Sequence, residues 1–252
     1  MSYERRRRIL DLLKEKEILT LKELEQIFTD VSSMTLRRDF EYLEDKGEAI
    51  RIRGGIRSMK SLGREDLYEQ RISKNPEAKA IIAEIASEYI AEGRSIFFDS
   101  GSTLMALAKR LPDIYLSILT SAPNIALEIS KRYAPTVNLI GGQINRETLS
   151  VSGMQSMEYV ENMNFDLAVM APSALSADAG FTCGNYSECE LKKLIIKKAK
   201  KTVMLADSSK FDRAMPFTFA KLADIDVLIT DAEPPQEILK EAEAQGVTVR
   251  WQ

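Results

Sequence analysis

The 252-residue chain contains no histidine, only two cysteines and one tryptophan. Without histidine the commonest general acid and base is missing, and triads of the Ser-His-Asp or Cys-His kind are excluded. Two cysteines with no histidine cannot assemble a four-ligand zinc site, and Cys183 and Cys189 read as incidental thiols. No metal and no cofactor are therefore expected. No run approaches the ~20 apolar residues that a membrane-spanning helix needs. The first ten residues, MSYERRRRIL, are basic but lead into no apolar stretch of the signal-peptide kind. A cytoplasmic protein without membrane contact is the expectation.

What is present is an ordinary globular composition, 44% hydrophobic and 29% charged, with a net charge of -3 that is unevenly spread. Residues 1–60 carry 14 basic against 12 acidic side chains, and the remainder 21 against 26. A slightly basic head on an acidic body permits nucleic-acid contact at one end.

Helical spacing in the head comes in three runs. Ile9, Leu12 and Leu13 mark the first, from Glu4 to Lys16. Leu21, Leu24, Ile27 and Phe28 mark the second, opened by Thr20-x-x-Glu23 as a capping box. Leu36, Phe40 and Leu43 mark the third, starting at Ser32 or Ser33 and stopping at Gly47. Residues 48–53 then alternate polar and apolar before Gly54-Gly55, which predicts a β-hairpin. Three helices and a hairpin describe a winged helix-turn-helix over residues 1–58. With Leu36, Phe40 and Leu43 committed to the core, helical geometry turns Ser33, Thr35, Arg37 and Arg38 sideways or outward. These residue types contact phosphates and base edges, as a recognition helix in the major groove requires. Arg51, Arg53 and Arg57 in the hairpin and Arg5 at the start of the first helix are placed to neutralise flanking phosphates. Adjacent arginines beside Asp39 and Glu41 also fit a solvated, ion-paired face.

Residues 59–75 are charged and aperiodic and read as a linker. From 76 to 252, short apolar runs alternate with helical stretches, which implies a mostly parallel sheet covered on both faces. Strands are expected at 95–98, 116–119, 137–140, 167–170, 203–205, 227–229 and 247–249. Asp99-Ser100-Gly101-Ser102-Thr103 follows the first of these and opens a helix. Glycine lets backbone approach an anion, and the helix N-terminus offers free N–H groups. The same turn can exist only to cap a helix. Further candidates stand at other strand ends: Thr120 and Ser121, Gly141 and Gly142, Asp166, Asp207 and Lys210. Glu188 and Lys192, four apart, also suit a simple helix ion pair.

The run Val31-Ser32-x-x-Thr35-Leu36-Arg37-Arg38-Asp39-Phe40, then Leu43-Glu44-x-x-Gly47 and Arg51-x-x-Gly54-Gly55, resembles the DeoR family of sugar-metabolism regulators. The DSGST loop, Ile140-Gly141-Gly142, Phe165-Asp166, Gly180-Phe181-Thr182, Lys192 and the LADSSKF stretch are similar to that family's C-terminal domain. The resemblance implies an α/β sensor domain like ribose-5-phosphate isomerase behind the winged helix-turn-helix. It implies operator DNA and a phosphorylated sugar or sugar derivative as partners. A repressor of a carbohydrate-utilisation operon, working as a homodimer or homotetramer, is the function it suggests. By the same resemblance Ser100, Gly101, Ser102 and Thr103 hold the phosphate, with Asp99, Asp166, Glu188, Lys192, Asp207 and Lys210 around the sugar. Three departures are local: Thr29-Asp30 replaces a single turn glycine, Thr120-Ser121 stands where members often have Thr-Asn after the second strand, and Ala171-Pro172-Ser173-Ala174 replaces glycines after the fourth strand. A sugar-phosphate isomerase carrying a DNA-binding head, and a C-terminal domain that only oligomerises, are the competing readings.

Overall fold

The computed structural model describes residues 2–16, 18–52, 54–58 and 67–252 and divides into two compact units, 1–64 and 65–252. In the first unit α1 (Ser2–Lys16), α2 (Leu21–Ile27) and α3 (Ser33–Asp45) pack around Ile9, Leu13, Leu24, Leu36, Phe40 and Leu43, all nearly or fully buried. The caps follow from side-chain chemistry. Thr20 and Glu23 form the reciprocal capping box, and Ser32 accepts the Thr35 backbone N–H.

The hairpin is β2 (Ala49–Ile52) against β3 (Gly55–Ser58), antiparallel, with Ile52 opposite Gly55. A third strand, β1 (Ile18–Thr20), pairs with β3 on its other side. The sequence pattern gave no sign of it, because three residues before a capping box are too few to display a period. Gly55 makes this pairing possible: a Cβ there would lie 2.3 Å from the Leu19 carbonyl oxygen.

The second unit begins within the stretch expected to be linker: α4 (Tyr68–Ser73) is part of it, with the Tyr68 N–H donating to Glu147 O at 2.8 Å. Seven parallel strands form its centre. Chain order gives β4 (Ser95–Phe98), β5 (Ser117–Thr120), β6 (Thr136–Leu139), β9 (Leu167–Met170), β12 (Thr202–Leu205), β14 (Val227–Ile229) and β15 (Thr248–Arg250). Spatial order is β15-β14-β12-β9-β4-β5-β6. Each expected strand is present, within a residue or so at the ends.

Alternation of side chains sends Ile96 and Phe98 to one face and Phe97 to the other. The first face is covered by α5 (Pro76–Ser87), α6 (Ser102–Arg110) and α7 (Pro123–Ile129). The second is covered by α8 (Met154–Glu161), α9 (Tyr186–Lys198) and α10 (Gln236–Gln245). An antiparallel sheet of β10 (Ala174–Ser176), β11 (Gly180–Cys183) and β13 (Phe217–Ala220) adds Leu175, Phe181 and Phe219 to that second core. β7 (Gln143–Asn145) and β8 (Ser150–Ser152) form a separate hairpin. No helix among the described residues is long and apolar enough to cross a membrane.

β4 is where the winding of the sheet reverses. From it the chain steps outward through β5 and β6, then returns to its other side for β9, β12, β14 and β15. In such sheets the crevice beyond the carboxyl ends of the strands at this point is the place for a ligand.

Candidate DNA interface and effector site

On α3, Met34, Arg37 and Arg38 are exposed while Asp39, facing inward, is 1% exposed. Asp39 accepts from Arg5 Nε at 2.5 Å and from Arg6 Nε at 2.7 Å, and the Arg6 guanidinium stacks 3.8 Å above the Tyr42 ring. Arg5 therefore ties α1 to α3. Ser33 Oγ donates to Glu25, and Thr35 lies against Ser32 Oγ. Arg51 is bound on α3, by Nε to Glu44 at 2.5 Å and by Nη1 to Glu41 at 3.0 Å. Arg57 is half-buried on β3, and Arg53 lies outside the described residues. Among the expected DNA contacts, Arg37 and Arg38 are thus the exposed arginines on the helix itself.

In the second unit, Asp99 to Thr103 stand at the carboxyl end of β4, all five on or next to the first turn of α6. Gly101 occupies the N-cap at φ +133°, a conformation glycine tolerates, and no side chain caps the helix. The loop is fixed from behind. Asp99 accepts from Ser100 N at 2.8 Å and Ala171 N at 3.1 Å, and pairs with the Lys192 ammonium. Lys192 also reaches Ala171 O at 3.0 Å and Glu188 at 3.3 Å. All three ionic side chains are at most 7% exposed. Burial alone would depress the Lys192 pKa, but Asp99 and Glu188 outweigh it and hold the ammonium protonated. Glu188 in turn accepts from Ser150 Oγ at 3.1 Å. Lys192, Glu188 and Asp99 therefore form one buried ionic cluster behind the loop.

Beside Ser102 opens a cavity of about 270 Å³ lined by Arg71, Lys74, Asn75, Lys79, Asp207, Ser209, Lys210 and Arg213. Five cationic side chains face one carboxylate. Lys79 is 5% exposed, and its ammonium donates to the carbonyls of Arg71 and Lys74 at the end of α4. Burial lowers its pKa, against the pull of Asp207. Asp207 caps the turn Ser208–Lys210 and accepts from Asn75 Nδ2 at 3.3 Å.

Asp207 and Lys210 line this cavity together with Ser102 of the DSGST loop. Thr120 and Ser121 stand at the end of β5: Thr120 Oγ1 accepts from Ala122 N, and the Ser121 main-chain carbonyl accepts from Val151 N of β8. Gly141 accepts Ser156 Oγ at 2.6 Å, and a Cβ on Gly142 would meet Ser156 Oγ at 2.5 Å, so both glycines seat α8. Asp166 is misplaced by the sequence reading. It precedes β9, at the opposite end of the parallel sheet, where it binds Ser95 and Lys200.

Arg71, Lys74, Lys79 and Arg213 were not expected. For Lys79 a signal existed: it lies three residues before Ile82 and four before Ala83, on the buried stripe of α5. A lysine on an apolar stripe marks an internal use. Among the described residues no group of side chains could hold a metal ion.

Comparison with known proteins agrees with this division. Residues 5–62 match the DeoR-like helix-turn-helix domain, and residues 74–232 match the DeoR C terminal sensor domain. The HTH-type transcriptional regulator GlpR of Haloferax volcanii is 37% identical over 98% of this chain and 96% of its own. The HTH-type transcriptional regulator GolR of Listeria innocua is 31% identical over 98% of each. Among solved structures, ribose 5-phosphate isomerase A of Methanocaldococcus jannaschii is similar over 55% of each chain, at 14% identity and a TM-score of 0.41. Two regulators aligned along almost their whole length leave no room for the isomerase alternative, and the chain belongs to the DeoR family of helix-turn-helix transcription regulators.

Proposed function

We propose that the protein is an effector-responsive repressor of a carbohydrate-utilisation operon in the cytoplasm. The head binds double-stranded operator DNA, with α3 in the major groove and Arg37 and Arg38 toward the bases and phosphates. Helix-turn-helix heads of this size read paired half-sites, so a homodimer or homotetramer is the working form. The name of one relative, the HTH-type transcriptional repressor GlcR of Bacillus subtilis, 29% identical over 95% of this chain, supports repression.

The effector is a phosphorylated sugar or sugar derivative. The observation that carries this reading is the cavity that Arg71, Lys74, Lys79, Lys210 and Arg213 line together with Ser102, the first residue of a helix that no side chain caps. Cations and free backbone N–H groups converging on one point favour a phosphoryl group. The buried Asp99–Lys192–Glu188 cluster supports it by fixing the loop that presents those N–H groups. An effector changes operator affinity only by as much as it prefers one arrangement of the protein over another.

The test is operator binding to DNA upstream of the protein's own gene cluster, titrated with sugar phosphates at fixed salt. A shift in affinity with one sugar phosphate supports the reading. DNA binding that none of them alters counts against the cavity as a regulatory site.

A further inference from the structure

Tyr68 opens α4, is 8% exposed, and presents its phenol to a pair of other polar groups. Asn124 stands in the first turn of α7, just past the carboxyl end of β5. The Tyr68 Oη and both polar atoms of the Asn124 amide are buried without a hydrogen-bond partner among the described residues. Burial raises the Tyr68 pKa, while Asn124 and Arg71 pull it back. Those two side chains therefore lie beside the phenol, although the Tyr68–Asn124 pair does not reach hydrogen-bond geometry. Arg71 also lines the cationic cavity, which makes the polar group and the cavity neighbours.

Native chains bury polar atoms with partners, and unpartnered ones call for an explanation. Phenol and amide each donate and accept, as a sugar hydroxyl does. An apolar ligand would leave them as they are. A second phosphoryl group would face the amide oxygen and the nearby Glu128 carboxylate, which acts on Tyr68 as a like charge.

We propose that Tyr68 and Asn124 recognise hydroxyl groups on the carbon chain of the effector, while the cavity beside Arg71 takes its phosphate. This rests on the effector reading given above. Phosphate supplies most of the attraction, and Tyr68 and Asn124 select a polyol phosphate over phosphate alone.

Calorimetric titration of the full-length protein and its Tyr68→Phe and Asn124→Ala variants tests this. The probes are inorganic phosphate, glycerol 3-phosphate, ribose 5-phosphate, glucose 6-phosphate, fructose 6-phosphate and fructose 1-phosphate. Tyr68→Phe removes only a buried, unpartnered hydroxyl, so its melting temperature should equal or exceed that of the parent. The expected result is unchanged binding of inorganic phosphate and about tenfold weaker binding of the preferred sugar phosphate in each variant. Equal affinity of parent and Tyr68→Phe for that sugar phosphate overturns the hydroxyl assignment and leaves the phosphate site standing. Binding of inorganic phosphate as tight as that of every sugar phosphate also overturns it. If no probe binds the parent at all, the effector reading itself falls, and this inference with it.

Discussion

Lys192 and Asp99, 93 residues apart in the chain, form an ion pair in which neither side chain is more than 3% exposed. Taking two charges out of water is costly, so leaving one without the other is strongly destabilising. Lys192→Met should lower the stability of the second unit by about 3–5 kcal/mol in urea unfolding. Pairing it with Asp99→Asn should recover part of that loss. Additive losses from the two substitutions would mean that the pair is not coupled.

Arg38→Ala and Arg37→Ala should leave the melting temperature unchanged within about 1 °C, since surface substitutions seldom matter to folding. Operator affinity should fall by about 1–3 kcal/mol if either side chain reads guanine, and the base preference should relax at that position. A purely phosphate contact would weaken all sequences alike and reduce the salt dependence instead. Unchanged operator binding in both variants would remove these arginines from the interface.

Gly55→Ala should disturb the head, because its Cβ would overlap the Leu19 carbonyl that β1 offers to β3. Overpacking of this kind costs about 1–3 kcal/mol. Hydrogen exchange at Ile18–Thr20 should quicken. Exchange as slow as in the parent would show that the strands can part without loss.

Acid should weaken one anchor of the sheet. Lys200 and the Ser95 backbone hold the Asp166 pKa down to about 2. A lowered carboxylate pKa contributes stability that is present above about pH 4 and fades as pH falls through about 2. The stability gap between the parent and Asp166→Asn, measured by denaturant unfolding, should therefore be widest near neutral pH and close toward pH 2. A gap constant between pH 6 and pH 2.5 would contradict the assignment. Effector binding should be insensitive to Asp166→Asn, since the residue stands at the far end of the sheet.

Periodicity served best where a side chain's burial depends on near neighbours in sequence. Leu36, Phe40 and Leu43, the Thr20–Glu23 box and the apolar strands of the parallel sheet all obey local rules, and each was legible. The DSGST loop was legible because its strand, glycine and helix are contiguous. Asp166 was read wrongly for the opposite reason: an acid next to a strand looks the same at either end of it, and only the strand's direction in the sheet decides. Arg71, Lys74 and Arg213 were hidden because their cavity is assembled from segments more than 130 residues apart. β13 was hidden because it pairs with β11 from a distant part of the chain, and β10 and β11 because a local hairpin of three- and four-residue strands is too short to display a period.

Asp39 sorts the arginines of the head into two populations. Those of α1 that it holds, Arg5 and Arg6, are part of the frame, while Arg37 and Arg38, which stand between the buried Leu36 and Asp39, are exposed on α3. Under the proposed function, sequence preference and foldability fall on different side chains. Under that function, substitutions at 37 and 38 would change operator preference and leave the Arg5–Asp39–Arg6 frame intact. A mutation at 39, by contrast, would act on every operator at once.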